Sequence, residues 1–247
     1  MNRHYLHYFP LVETDIPAGC EPYRHILCHC ALGNMCRLFE LRGYETEKEL
    51  PWIIDWCARY LLPDGGYNCD EAAYTKSGKS SFLSTLPMLE AMLLVYKRTG
   101  DETLKKNLEA GAQYLINHAV YKSSTGKLIT DIWLQLSFPR YYDYDVLRGL
   151  SFLAEWAVLF GKTLPPAIVA DCLKQIEPAL DESGLLRITE DKIAVEGSLM
   201  QNGSVWEWKE KASRFTALDM FGKVGIVSLP LSRQWLSTLE HLHIIME

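Results

Sequence analysis

The sequence lacks long apolar runs and lacks an excess of basic residues. Its longest apolar stretch, from Met88 to Tyr96, is interrupted by Glu90 and is far shorter than the roughly 18 residues of a membrane-spanning helix. The formal net charge is −6, with 25 Lys and Arg against 31 Asp and Glu. Nucleic-acid-binding proteins usually carry a basic face, so this balance argues against that class. We therefore predict no transmembrane span and no nucleic-acid partner.

Signals for export and for disulfide bonds are also missing. Residues 1–8 contain no apolar core of the kind a signal peptide has, which predicts a cytoplasmic protein. The seven cysteines are an odd number in a chain large enough to fold without disulfides, so we expect reduced thiols. The sequence contains no Gly-x-Ser-x-Gly elbow, and a hydrolase triad therefore has no support.

The composition that remains is that of a globular protein. The chain has 247 residues, of which 48% are hydrophobic and 23% are charged. That length and composition provide ample material for a large core. We predict a single domain over residues 1–247 with an irregular N-terminal segment at 1–24.

Apolar residues recur at three- and four-residue steps along most of the chain, which predicts an all-α protein. Gly43, Gly100 and Gly161 end three of the predicted helices, as glycine commonly does. The predicted helices span residues 25–42, 47–61, 81–98, 101–118, 143–160, 166–180, 212–223 and 232–244. Residues 185–188 and 204–208 alternate weakly, which predicts a small β-hairpin inserted near 185–208.

A weak internal repeat runs through these helices. Four helices carry two apolar residues three positions apart in their first turns, and three are preceded by a glycine turn. The apolar pairs are Leu32/Met35, Leu86/Leu89, Leu147/Leu150 and Leu218/Phe221, and the turn glycines are Gly66, Gly126 and Gly184. One unit of helix, turn and helix cannot bury its own apolar stripe, so the units are expected to stack as antiparallel helical hairpins.

The turn Asp64-Gly65-Gly66-Tyr67 resembles the Asp-Gly-Gly-aromatic signature of the α/α-toroids in the terpenoid cyclase and protein prenyltransferase group. The stretches 79–82 and 138–142 are similar to bacterial squalene cyclase-like and prenyltransferase-repeat proteins, and the resemblance spans roughly residues 25–225. It implies an α/α-toroid whose central cavity holds a small, largely apolar, prenyl- or terpenoid-like ligand. Cyclase- or transferase-like chemistry would be the family expectation.

The length of the chain bears on whether such a ring closes. Full toroids of this group have about five or six hairpins, whereas 247 residues supply about four. Three outcomes stay open: long loops fill the gap, the array stays open, or a second copy completes it as a homo-oligomer. An open array would suit a non-catalytic module that binds a protein or peptide.

Aligning the repeats brings Cys30, Ser84, Asp145 and Thr216 into one column, which we expect at the rim of the central cavity. Asp143 and Asp145 are the predicted catalytic residues, because two nearby carboxylates can raise the pKa of one until it acts as a general acid. Class II terpene cyclases use an Asp-x-Asp-Asp acid at a comparable place. The alternative is structural, with Asp143 capping the helix and Asp145 paired with Arg148.

Cysteine and histidine residues suggest a weak metal site. Cys28, His29 and Cys69 are the predicted ligands, and zinc is the metal that thiolate and imidazole suit. Cys28 and Cys30 would point about 200° apart on a helix, so we expect only one of them to face an ion. A workable set would combine that residue with Cys69 and His118 or Asp145. The alternative is that these are buried structural cysteines.

The remaining predicted ligand-binding residues are basic, hydroxyl-bearing or aromatic. Lys79 lies near a helix N-terminus, where an anion such as a diphosphate is favoured, although Ser80 or Ser81 would also serve as a plain N-cap. Aromatic walls suit an apolar or cationic ligand, and core packing explains the same residues. The set is Lys79, Ser84, Tyr142, Tyr144, Trp206, Trp208 and Arg214. Paired carboxylates and aromatic walls also keep a carbohydrate-active helical barrel open.

Overall fold

A computed structural model describes residues 17–18, 27–70, 72–140, 143–191, 198–202, 205–209 and 216–246. It is mostly helical, at 61%, which confirms the all-α prediction. The α-helices are α1 (His29–Leu41), α2 (Thr46–Glu49), α3 (Ile53–Arg59), α4 (Phe82–Thr99), α5 (Glu102–Asn117), α6 (Val146–Phe160), α7 (Pro166–Ile176), α8 (Thr216–Phe221) and α9 (Leu229–Met246). The irregular segment predicted for 1–24 lies, apart from residues 17–18, outside the described residues.

The helix predicted at 47–61 forms as two helices, α2 and α3. Pro51 follows Leu50, whose φ of −128° and ψ of 78° lie outside the helical region. A proline disfavours helical angles at the residue before it, so the helix ends there and a new one begins at Ile53. Pro51 thus separates two helices, whereas the sequence pattern suggested a proline in the first turn of one.

Four helices form one contiguous layer and three more pack beside them. α1 packs extensively on α4, α4 contacts α6, and α6 packs on α9. α5 contacts α3, α4 and α6, while α7 contacts α6. We call α1, α4, α6 and α9 the inner helices and α3, α5 and α7 the outer helices. Among the helices that the structure describes, none is both long and apolar enough to span a membrane.

The three outer helices are each followed by the same hydrogen-bonded turn. The first residue of the turn donates its N–H to the carbonyl of the fifth and accepts the N–H of the fourth, a glycine with positive φ. This is a type I turn closed by a left-handed glycine, which matches two short antiparallel segments. The first and fifth residues are Leu62 and Gly66, Ser123 and Lys127, and Asp181 and Leu185. The repeating glycines are therefore Gly65, Gly126 and Gly184, one position earlier than predicted in the first unit.

The fourth inner helix is α9 and not the helix predicted at 212–223. α8 has only six residues, and Phe221, which was expected to be buried, is 58% exposed. α9 instead packs on α6 and buries Leu231, Trp235 and Leu242. The third unit therefore runs from α7 through Gly184 to α9.

The insertion in this third unit contains the two strands that the structure describes. β1 (Ser198–Asn202) pairs antiparallel with β2 (Val205–Lys209), with Ser198 opposite Lys209. Residues 185–188 were expected to pair with 204–208, but Leu186 bridges Leu180 and Arg187 bridges Val227. The predicted pairing is therefore not the one that forms.

The contact between α1 and α4 is close because Gly33 lies directly against the backbone of α4. Gly33 is buried, and a Cβ added to it would lie less than 3.0 Å from the backbone of Pro87 and Met88. Backbone atoms of α4 cannot move aside as a flexible side chain would. Only glycine therefore allows the two helices to approach this far.

We predict that Gly33→Ala destabilises the protein by about 3 kcal/mol, because the added methyl group forces α1 away from α4. Leu38→Ala, at an exposed position of the same helix, should change the free energy of unfolding by less than about 0.5 kcal/mol. Urea unfolding of both variants measures the difference. Equal, small effects for the two variants would show that the helices are not in fixed contact at Gly33.

Candidate functional site

A cavity of about 490 Å³ lies between the four inner helices. All four contribute to its wall, as does the loop that precedes α6 through Phe138 and Arg140. Leu41 and Ser237, both exposed, belong to the wall, so the cavity opens to solvent there. The charged and strongly polar lining residues are Arg37, Glu90, Arg140, Glu155, Gln234 and His241. The volume is within the range of small-molecule sites.

A buried ion pair supports this wall. The Arg148 guanidinium donates from Nε to Glu90 Oε1 over 2.9 Å and from Nη2 to Glu90 Oε2. It also donates from Nη1 to the Asp143 carbonyl over 2.9 Å and from Nη2 to Asn34 Oδ1 over 3.4 Å. Burial alone would raise the pKa of Glu90, but the charge and hydrogen bonds of Arg148, together with the charges of Arg37 and Arg140, outweigh burial and hold that pKa below its usual value. Glu90 is therefore an anion held by one arginine, with Arg37 3.9 Å away.

Asp145 is the N-cap of α6 and the anchor of Arg140. Its Oδ1 accepts the backbone N–H of Arg148 over 2.8 Å and Nη2 of Arg140 over 3.1 Å, while its Oδ2 pairs with Arg140 Nε. Arg140 extends from there to Gln234 of α9. The expected cap, Asp143, precedes the helix, and the expected partner of Asp145, Arg148, pairs with Glu90 instead. A catalytic role for Asp143 and Asp145 stays a prediction.

Three cysteines come together at the start of α1. The Sγ atoms of Cys28, Cys30 and Cys69 all lie within 4.8 Å of one another, and those of Cys28 and Cys30 are 3.2 Å apart. Contacts with the thiols of Cys28 and Cys69, together with burial, raise the pKa of Cys30. The expectation that Cys28 and Cys30 point apart is wrong. Cys28 precedes the helix with an extended ψ of 153°, so helical spacing does not apply to it.

His29 belongs to the core and not to this thiol group. Its Nδ1 is 3.0 Å from the Asn68 carbonyl and 3.1 Å from the Tyr74 hydroxyl, and its Nε2 accepts Trp56 Nε1–H over 3.1 Å. Burial lowers the pKa of His29 to about 4, although the Asn68 carbonyl opposes the shift. The imidazole is therefore neutral near pH 7. His118 and Asp145, the other ligands considered, are also outside the thiol group among the described residues.

None of the predicted ligand-binding residues whose side chains the structure describes lines the cavity. Ser84 is buried and donates to Cys69 Sγ over 2.9 Å, Tyr144 is buried and donates to the Val120 carbonyl, and Lys79 is exposed outside the cavity wall. Tyr142 and Arg214 lie outside the described residues. Trp206 and Trp208 lie on β2, where only their backbone pairing is described.

Sequence reasoning missed the residues that do line the cavity. Three charged members of the wall lie four to eight positions after the repeated leucines, further along the inner helices than the predicted rim: Arg37 follows Leu32 by five, Glu90 follows Leu86 by four, and Glu155 follows Leu147 by eight. One signal was present, because Glu90 is the charge that interrupts the longest apolar run of the sequence. A lone buried charge of this kind needs a partner, and partners are found at cavities and interfaces.

In comparisons with known proteins, no family model, no curated protein and no solved structure matches the chain. Functional inference therefore rests on the chemistry of the cavity and of the thiol group.

Arg148→Met is expected to cost about 3–5 kcal/mol at pH 7, because it leaves the Glu90 carboxylate buried without its guanidinium. The pKa of Glu90 should then lie above its unfolded value and not below it. Acidification neutralises the stranded carboxylate, so the deficit relative to wild type should narrow between about pH 7 and pH 5. Urea unfolding at both values measures it. A loss of stability that does not change with pH contradicts the pairing. An equal loss in the double variant Arg148→Met/Glu90→Gln, which has no carboxylate at position 90, also contradicts it.

His29 should make stability fall on the acid side of neutrality. The pKa of His29 is about 6.5 in the unfolded chain and about 4 in the folded chain. Between these pH values the imidazole is protonated in the unfolded chain and neutral in the folded chain. Stability from this group is complete above the unfolded value and is lost as the pH falls toward 4, by about 3 kcal/mol. His29→Gln should flatten that slope in urea unfolding. An imidazole that titrates near its ordinary pKa in nuclear magnetic resonance spectra of the wild type contradicts the burial.

Proposed function

We propose that the protein binds a small, hydroxyl-rich ligand of the saccharide class in the cavity between the inner helices. The observation that carries the proposal is the wall itself, which combines arginine, glutamate, glutamine, histidine and hydroxyl side chains with apolar leucines and phenylalanines around about 490 Å³. Such a wall offers hydrogen-bond donors and acceptors from all four helices. Hydroxyl groups can use both kinds at once.

The balance of charge favours a neutral ligand over an ion. Two arginines and two glutamates line the cavity, and each has an opposite charge nearby: Glu90 has Arg148, Glu155 has Lys97, Arg140 has Asp145 and Arg37 has Glu90. A free anion or cation would have to compete with these pairs. Neutral hydroxyls can bind to the remaining donor and acceptor sites of the same groups. Phe138 and Phe152 add apolar faces against which the C–H groups of a sugar ring can pack.

The polar wall modifies the ligand class suggested by the sequence. An apolar prenyl or terpenoid chain would remove water from guanidinium, carboxylate and amide groups without replacing those hydrogen bonds, which costs free energy. The layering of inner and outer helices, the recurring glycine turn and a cavity among the inner helices support an incomplete α/α-toroid. A homo-oligomer that closes the ring and a cytoplasmic location stay predictions.

The contacts of the carboxylates at the cavity favour binding over catalysis. A glycosidase needs two carboxylates that act on opposite sides of one bond. Glu90 and Glu155 both line the cavity, but each is engaged by a cation from the protein. Asp145 is engaged in the same way by Arg140. These contacts suit residues that shape and orient a binding wall.

Ser237→Trp should block the cavity. Ser237 is exposed and belongs to the wall, so the indole can enter the open space without disturbing the core. Leu236→Trp is the matched control, since Leu236 is the neighbouring residue, is 51% exposed and does not line the cavity. Saturation-transfer magnetic resonance and calorimetry with maltose and cellobiose measure binding. We expect Ser237→Trp to weaken the affinity at least about tenfold and the control to leave it unchanged.

The same assays are run with farnesol as the apolar alternative, and native mass spectrometry of freshly purified protein looks for a retained ligand. If the wild type binds farnesol but neither sugar, and Ser237→Trp abolishes farnesol binding, the apolar ligand class replaces the saccharide class. Binding of neither probe, together with no retained ligand, would remove support for a small-molecule cavity.

A further inference from the structure

We propose that Cys28, Cys30 and Cys69 form a zinc site, a function separate from ligand binding in the cavity. Three sulfur atoms within 4.8 Å of one another match the spacing that one metal ion imposes. Zinc–sulfur bonds are about 2.3 Å long, which places the sulfurs of a tetrahedral site about 3.8 Å apart. The Cys28–Cys30 separation of 3.2 Å and the 4.8 Å limit bracket that value.

Two hydrogen-bond donors are aimed at the sulfur of Cys69. Its Sγ accepts a hydrogen bond from the Ser84 hydroxyl over 2.9 Å and a long one from the backbone N–H of Cys30 over 3.5 Å. Donors aimed at a ligating sulfur are the outer-shell contacts that orient metal ligands. Ser84 lies in the first turn of α4, so the site joins the start of α1 to the start of α4 through Cys69.

His29 is a positioning residue for this site and not a ligand. Both of its ring nitrogens face groups of the protein, with Nδ1 near the Asn68 carbonyl and Nε2 at Trp56 Nε1. The Asn68 contact fixes the loop residue that immediately precedes Cys69. Asn68 is also held by its side chain, which donates to the Lys79 carbonyl over 2.8 Å and accepts the N–H of Asp70 over 2.9 Å. The loop is therefore ordered before a metal arrives.

The ligand set favours zinc over harder cations. Thiolates are soft ligands that select zinc, copper(I) or iron–sulfur clusters, whereas magnesium and calcium require oxygen ligands. With three protein sulfurs, a tetrahedral ion has one position left for water or another small ligand. Each of the three cysteines is only partly buried, so solvent can reach that position. Cys36, Cys57 and Cys172 are buried, by contrast, and belong to the core.

The test is a metal titration of reduced, tag-free protein without air. Co²⁺ is added first, because its spectrum reports both thiolate coordination and tetrahedral geometry, and Zn²⁺ is then used to displace it. We expect one ion per chain, a thiolate-to-cobalt charge-transfer band and intense visible bands. Competition against a chelator gives the zinc affinity. Added imidazole should shift the cobalt spectrum, since the fourth position is exchangeable.

The variants separate the proposed ligands from the other cysteines. Cys28→Ser, Cys30→Ser and Cys69→Ser should each weaken zinc binding by more than about 100-fold, and Ser84→Ala by about tenfold. Cys172→Ala is the matched control, and it should bind zinc as the wild type does. Thermal unfolding with and without Zn²⁺ checks that each variant folds and that zinc raises the Tm of the wild type.

Two outcomes overturn the proposal. One is a folded, fully reduced wild type that takes up neither Co²⁺ nor Zn²⁺ in a one-to-one ratio. This outcome also counts for protein in which a Cys28–Cys30 disulfide had formed in air and was reduced before the titration. The other is uptake that persists in all three cysteine variants. Neither outcome bears on sugar binding, which Ser237→Trp tests at the other site.

Discussion

The Arg148 guanidinium is the interaction on which most of the inner layer depends. It neutralises Glu90 of α4, donates to the Asp143 carbonyl in front of its own helix and reaches Asn34 of α1. One side chain thus joins three inner helices. Without this ion pair, the charges of Arg148 and Glu90 would both be buried without a partner. Because a buried pair is worth little net stability but is costly to break, its value lies in fixing one arrangement of the helices. The polar wall of the cavity follows from that arrangement.

Asn34 links this pair to the thiol group. Its Nδ2 donates to the Cys30 carbonyl over 2.9 Å, while its Oδ1 accepts from Arg148. The two proposed sites therefore lie along one connected set of polar contacts on α1. They differ in chemistry, since one offers hard oxygen and nitrogen groups to hydroxyls and the other offers soft sulfur to a metal. On α1 the thiol group lies at the start of the helix, whereas Arg37 and Leu41 of the cavity wall lie further along it.

The helices and the repeating units were predictable because apolar periodicity and glycine punctuation are local signals. The details that define the sites were not. Pro51 splits a helix through an effect on the residue before it, and Cys28 escapes helical spacing because it lies one residue outside α1. Asp145 and Asp143 both suit an N-cap by residue type, and only the start of α6 decides between them. Glu90 was visible as a lone charge in an apolar run, but its partner Arg148 is 58 residues away and no pattern in one sequence connects them.

The close approach at Gly33 has a mechanical consequence. Cys30 lies about one turn before Gly33 on α1, and Arg37 lies about one turn after it, so the thiol group and the cavity wall are carried on a single unbroken rod. The backbone of Pro87 on α4 lies in direct contact with this helix at Gly33. Any sliding of α1 along its axis would displace Cys30 and Arg37 by the same distance and in the same direction.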